Sequence, residues 1–167
     1  MLVQAVQLSL FPALMAFAAS SDLLTMTISN RVSLLLAAGF CALALIGGMS
    51  LTEFGWHVAA GGVVLVVAFV FFARGWIGGG DAKLAAATAL WFGFPHLLDY
   101  MLYASLFGGA LTLLLLQWRT WPLPALLARQ AWAQRLHDRN SGIPYGIALA
   151  TAALAVYPHT AWMMPGL

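Results

Sequence analysis

The chain is predicted to be an all-α integral membrane protein with six transmembrane helices and both termini outside, on the periplasmic face. Three observations predict this class. Of the 167 residues, 63% are hydrophobic and only 7% are charged, and the mean hydropathy is +0.92. A soluble domain of this size cannot bury so much apolar surface. The apolar residues come in runs of roughly 17 to 22, the length at which a helix crosses about 30 Å of hydrocarbon. Every Lys and Arg falls on one set of alternating loops. The short alternating segments of a membrane β-barrel are not seen.

The first span runs from Leu2 to about Ser20. Ala16-Phe17-Ala18 resembles a signal-peptide cleavage site, but the stretch lacks the basic n-region of such a peptide and is read as a span. The second span runs from about Val32 to Met49 and the third from about Phe54 to Ala73. The fourth begins at Asp81 and ends near Phe94, where Pro95 stops it. The fifth covers about Leu97 to Leu116, and the sixth about Ile143 to Trp162. With no internal repeat and no low-complexity linker, residues 1–167 are expected to form a single six-helix domain. Its one sizeable loop, about 117–142, is cytoplasmic. The lone Cys41 sits inside an apolar run, which excludes an intrachain disulfide and a tetra-Cys zinc site.

Six spans put the loops around 21–31, 74–83 and 117–142 on one side. They carry Arg31, Arg74, Lys83, Arg119, Arg129, Arg135 and Arg139, which are all 7 of the basic residues. The other side holds Glu53, His57, His96, Asp99 and His159. Cytoplasmic loops carry the positive excess, so both chain ends are placed outside. The net charge of +2 is thus a topology signal and gives no reason to expect a nucleic-acid partner. Beyond Pro122 and Pro124 the long loop reads as a short basic amphipathic helix. Leu123, Leu126, Leu127 and Leu136 share a face with Trp132 close by. Such a helix lies on the lipids of the inner leaflet or docks a substrate or partner.

Asp22 and Asp81 stand out against this background. An ionisable group at the centre of a membrane helix costs about 2.5 to 3.5 kcal/mol and is a functional candidate by default. Asp22 ends the first span as it enters the cytoplasm, and Asp81 begins the fourth as it leaves. The two are about 60 residues apart but at matching depth. A contact between the first and fourth spans brings the carboxylates together, and two carboxylates in a protected site can share one proton. Before Asp81, Gly78-Gly79-Gly80 removes all side-chain bulk, so an extended substrate can lie against the backbone. The same run also reads as a flexible loop with Asp81 capping the fourth helix. Asp22 also reads as a solvated helix-end residue near Arg31.

Gly78-Gly79-Gly80-Asp81 fits the G-x-G-D motif of intramembrane aspartic proteases. With Ala82-Lys83-Leu84 it resembles the bacterial prepilin peptidases. The run from Asp22 to Asn30 resembles the block in which that family's first catalytic Asp precedes an Ile-Pro-Asn or similar triplet. Ile143-Pro144-Tyr145-Gly146 resembles a third segment, typical of the small CpaA/TadV-type members that serve Flp (tight-adherence) pili. The resemblance implies that Asp22 and Asp81 are the catalytic pair and that no metal or cofactor takes part. It implies that Gly78, Gly79 and Gly80, with Pro144, Tyr145 and Gly146, shape the substrate site. The implied substrate is a prepilin or pseudopilin with a short basic leader, cut at the cytoplasmic face of the bacterial inner membrane. There are departures from the family pattern. Ser29 stands where many relatives have Pro, and Leu24 where relatives often carry a basic residue. The cytoplasmic insert with paired cysteines found in larger, N-methylating members is not present.

Two other function classes stay open. Glu53 and His57 are spaced i, i+4 and His96 and Asp99 i, i+3, so each pair can share a helix side. With His159 they suggest a metal-binding membrane protein or a transporter using the outer face. An inactive scaffold of a pilus or secretion assembly is the other.

Overall fold

The computed structural model describes residues 2–163, with side chains from Val6 onward. Every regular element among the described residues is helical. Three helices contain segments long and apolar enough to cross a membrane: Val6–Thr25, Leu51–Ala73 and Gly79–Trp118. Their outward faces carry large apolar residues such as Val66, Phe69 and Leu113. The chain is a membrane protein.

Helix α1, Leu2–Thr25, continues past the expected end at Ser20 and so places Asp22 in its last turn. It stops where Met26 adopts φ 56° and its amide donates to Asp22 O at 2.8 Å. Helix α2, Asn30–Ile46, starts two residues before the expected Val32, because the Ser29 hydroxyl caps it by accepting from the Arg31 amide. Ser29 thus supplies a helix start of its own. Helix α3, Leu51–Ala73, starts three residues before the expected Phe54. Ser50 caps it, accepting from the Glu53 amide at 3.2 Å, a Ser-x-x-Glu arrangement.

The fourth and fifth expected spans are the two arms of one element, α4, Gly79–Trp118, bent at Gly93. The expected stop at Pro95 is therefore moved two residues back. Gly93 has φ 60° and ψ −174°, a backbone state open to glycine. Pro95 sits in the first turn of the second arm, where its missing N–H costs nothing. A Cβ at residue 93 would lie 3.0 Å from the His57 ring, so packing also demands glycine there. The second arm returns alongside the first. The Tyr100 ring meets Phe92 at 5.4 Å, and Arg119, just past the second arm, lies at the end where Asp81 starts the first.

Helix α5 is short, Ala131–His137, and a 3-10 turn, Leu127–Arg129, precedes it. The expected single amphipathic helix is broken at Gln130, whose extended backbone puts Leu123, Leu126 and Leu127 off the face that buries Ala133 and Leu136. Helix α6, Tyr145–Val156, is followed by a 3-10 turn, Tyr157–His159. It is shorter than the expected Ile143–Trp162 because Pro144 occupies its cap and Pro158 has no N–H to continue it.

Helix α6 packs between α1 and α4, and α3 packs along α4. Its buried alanines, Ala148, Ala150, Ala152 and Ala153, allow that close approach. One end of the bundle is filled with rings. Phe11 stacks on Tyr157 at 4.4 Å, and Trp91 meets Trp162 at 5.0 Å. Trp91 Nε1 donates to Leu36 O and Trp162 Nε1 to Trp91 O. Tyr157 Oη donates to Gln7 O at 2.6 Å, which brings the start of α1 beside the end of α6.

Candidate active site

The opposite end of the bundle gathers the aspartates. Asp22 is buried, at 4% exposure. Its Oδ2 accepts the Gly146 amide at 2.7 Å. Pro144 caps α6, so Gly146 lies in the first turn, where amides have no partner within the helix. The positive end of the α6 dipole therefore faces Asp22. Asp81 occupies the third position of α4, after the cap Gly78, and accepts a hydrogen bond from the Gly78 backbone. The side chain reaches back to its own helix start, as the acidic member of a capping box does. Asp81 is thus inside the first turn and is not the cap itself.

Two adjoining cavities open at this end. One of about 400 Å³ is lined by Asp22, Met26, the segment 75–78, Asp81 and the segment 142–145. The other, of about 280 Å³, is lined by Asp22, Met26, Thr27, Ile28 and the segment 78–81. Both carboxylates line both cavities, and Asp81 lies within the field of Asp22.

The glycines are placed by close approach. A Cβ at Gly146 would stand 2.7 Å from Asp22 Oδ2 and 2.6 Å from Ile28 Cδ1. A Cβ at Gly78 would stand 2.8 Å from Asp81 Oδ2. At Gly80 it would meet Ile28 Cβ at 3.1 Å, and at Gly79 the Phe72 ring at 3.2 Å. Gly80 thus packs on the α1–α2 turn. Pro144 and Tyr145 line the larger cavity. The Tyr145 hydroxyl is 3.0 Å from Thr112 Oγ1 on the second arm of α4, which ties α6 to that arm.

Every site residue expected from the sequence therefore lies at this end. Met26 and Ile28 lie in the run from Asp22 to Asn30 that the sequence singles out, whereas nothing in the sequence points to Gly75, Trp76, Ile77 and Gly142. Met26 is the one positive-φ residue other than glycine among the described residues, and nothing in its local pattern signals that. Gly142 adjoins the Ile143-Pro144-Tyr145-Gly146 segment and could have been found from it.

The outer-face polar residues are arranged differently. Glu53, His57 and His96 line a separate cavity of about 370 Å³ at the aromatic end, without Asp99 or His159. His57 Nδ1 lies 2.8 Å from Leu90 O and its ring rests on Gly93. Among the described residues no three His, Cys, Asp or Glu side chains are grouped to hold a metal ion.

The type IV leader peptidase family matches the chain over residues 9–113, well over half of its length and across both aspartates. The chain belongs to the type IV leader peptidase family. Membership makes it a peptidase, a hydrolase, with prepilin-type substrates. The matched region runs from α1 into the second arm of α4, so Gly146 lies beyond it. No curated protein and no solved structure matches the chain.

Proposed function

We propose that the protein is an intramembrane aspartic endopeptidase that removes the basic leader from prepilins of the Flp/tad type. Residues 1–167 form one peptidase domain that crosses the bacterial inner membrane six times, with both termini outside. Cleavage takes place at the cytoplasmic face. The observation that carries this proposal is the pair Asp22 and Asp81, which line the same two cavities and each accept a backbone amide at a helix start.

In the reaction, one carboxyl is neutral and the other ionised. The ionised carboxylate takes a proton from a water whose oxygen bonds to the scissile carbonyl carbon. The neutral carboxyl gives its proton to the carbonyl oxygen. The resulting diol collapses, the C–N bond breaks and the leaving nitrogen takes a proton. The leader departs with a new carboxyl group and the pilin with a new amino terminus. The two aspartates titrate as a unit, so either one can begin as the acid. Gly78, Gly79, Gly80, Pro144 and Tyr145 line the space where the scissile segment lies extended, and Gly146 holds Asp22.

The test is co-expression with a candidate prepilin, read by intact mass. The unaltered protein is expected to remove the leader, and Asp22→Asn or Asp81→Asn to leave it attached. Asn is nearly isosteric but can neither carry the charge nor relay the proton. Processing at a near-native rate by either variant refutes the assignment. Topology is checked separately, with Thr52→Cys and Gln134→Cys in a Cys41→Ser background. An impermeant thiol reagent should reach residue 52 from the periplasm and residue 134 only after lysis. Labelling of both from one side removes the cytoplasmic placement of the aspartates.

A further inference from the structure

A closed circuit of hydrogen bonds runs beside Asp22. Arg119, just past α4, is buried at 6% exposure. Its Nε donates to Leu136 O at 2.7 Å and its Nη2 to Gly142 O at 2.8 Å. Arg135 on α5 donates from Nη2 to Leu24 O, two residues beyond Asp22. From Gly142 the chain passes through Pro144 to Gly146, whose amide returns to Asp22 Oδ2. The circuit thus leads from Asp22 to Leu24, across Arg135 into α5, from Leu136 to Arg119, and through the segment 142–146 back to Asp22.

Three features make this more than loop packing. A buried guanidinium is costly unless its donors are used, and Arg119 spends them on two carbonyls from separate segments. Its planar fork fixes the angle between them, which a lysine ammonium cannot do. Helix α5 has only 7 residues, far below the roughly 12–15 at which an isolated helix becomes marginal. Its position therefore depends on what it is tied to. Gly146 stands in contact with Asp22, with no room for a Cβ, so small movements of the segment 142–146 change the carboxylate's surroundings.

We infer that Arg119 and Arg135 are positioning residues: through α5 they hold the segment 142–146 so that the Gly146 amide stays on Asp22. The loop 119–144 acts as a clasp on the aspartate end. The inference relies on the aspartic peptidase proposal only for its kinetic consequence.

The experiment uses the full chain in lipid nanodiscs, with Arg119→Ala, Arg119→Lys and Arg135→Ala. Two measurements are made: amide hydrogen exchange of a peptide covering 142–147, and the kinetics of prepilin cleavage, which give kcat and KM. In Arg119→Ala, exchange should rise at least tenfold and kcat should fall about 10- to 100-fold, with KM within threefold, since misplacement by about 1 Å costs that order of rate. Arg119→Lys should fail to restore either quantity. Arg135→Ala should shift both in the same direction by less. Native exchange in Arg119→Ala overturns the inference, as does raised exchange with an unchanged kcat. If Arg119→Ala does not assemble, Arg135→Ala carries both readouts, and native values there overturn it too. If the unaltered protein cleaves no prepilin, the exchange measurement still decides the clasp, and the failure falls on the peptidase proposal.

Discussion

Phe11 and Asp22 lie on the same helix, about 16 Å apart along its axis, in opposite surroundings. Around Phe11, rings from α1, α4 and the chain beyond α6 fill the space, and the indole donors of Trp91 and Trp162 are spent on backbone carbonyls. Around Asp22, glycines replace rings, two cavities remain open, and polar side chains are held by backbone amides. The cations nearby are used elsewhere. Lys83 Nζ donates to Asn30 Oδ1 at 2.8 Å, and Arg119 and Arg135 donate to carbonyls. The aromatic end holds the helices together. The aspartate end sets two carboxylates on the same two cavities, with amide dipoles in place of counter-ions.

This division of labour is open to attack from both ends. Trp91→Ala should remove about 3–5 kcal/mol of stability, the usual cost of emptying a buried aromatic site. The shift is read from a denaturation midpoint in detergent, with cleavage by the folded fraction kept within a few-fold. Loss of cleavage without loss of stability would show that the aromatic end also serves the reaction. Gly146→Val should do the reverse. A side chain there collides with Asp22 Oδ2 and Ile28 Cδ1 and should cost about 100-fold in cleavage rate, with a smaller midpoint shift than Trp91→Ala. A smaller effect is expected at Gly80, where the added atoms press on Ile28 at 3.1 Å. Gly80→Val should lower the rate about tenfold by shifting the α1–α2 turn. Gly55→Val is the fitting control, because no atom lies within 4 Å of a Cβ there. Equal losses at Gly55 and Gly80 would mean that the effect is not local to the site.

Part of the aspartate end is legible in the sequence, because the Gly78–Asp81 run and the run from Asp22 to Asn30 mark two segments that line the same cavities. The Gly78–Asp81 run marked the start of the fourth helix correctly to within two residues. The donor that holds Asp22 could not be read, since Gly146 is 124 residues away and a contact of that range leaves no local pattern. Helices α2 and α3 begin two and three residues ahead of the approximate bounds that hydropathy gives, because Ser29 and Ser50 cap them. Pro95 drew the break away from Gly93, whose need for glycine comes partly from His57 on another helix. The leucines of the α5 region recur at helical spacing, which predicts one amphipathic face. The extended backbone at Gln130 separates them, and the position of α5 is set by two arginines bonded to distant carbonyls.

The central claim is that Asp22 and Asp81 act as one catalytic unit. It is tested most directly by cleavage rates of the purified protein in nanodiscs, for Asp22→Asn, Asp81→Asn and the double variant. The rates of all three are expected to fall together by about 1,000-fold or more, the double no worse than either single, because residues that act as a unit are not additive. A near-native rate in either single variant, or losses that multiply in the double, would contradict the claim.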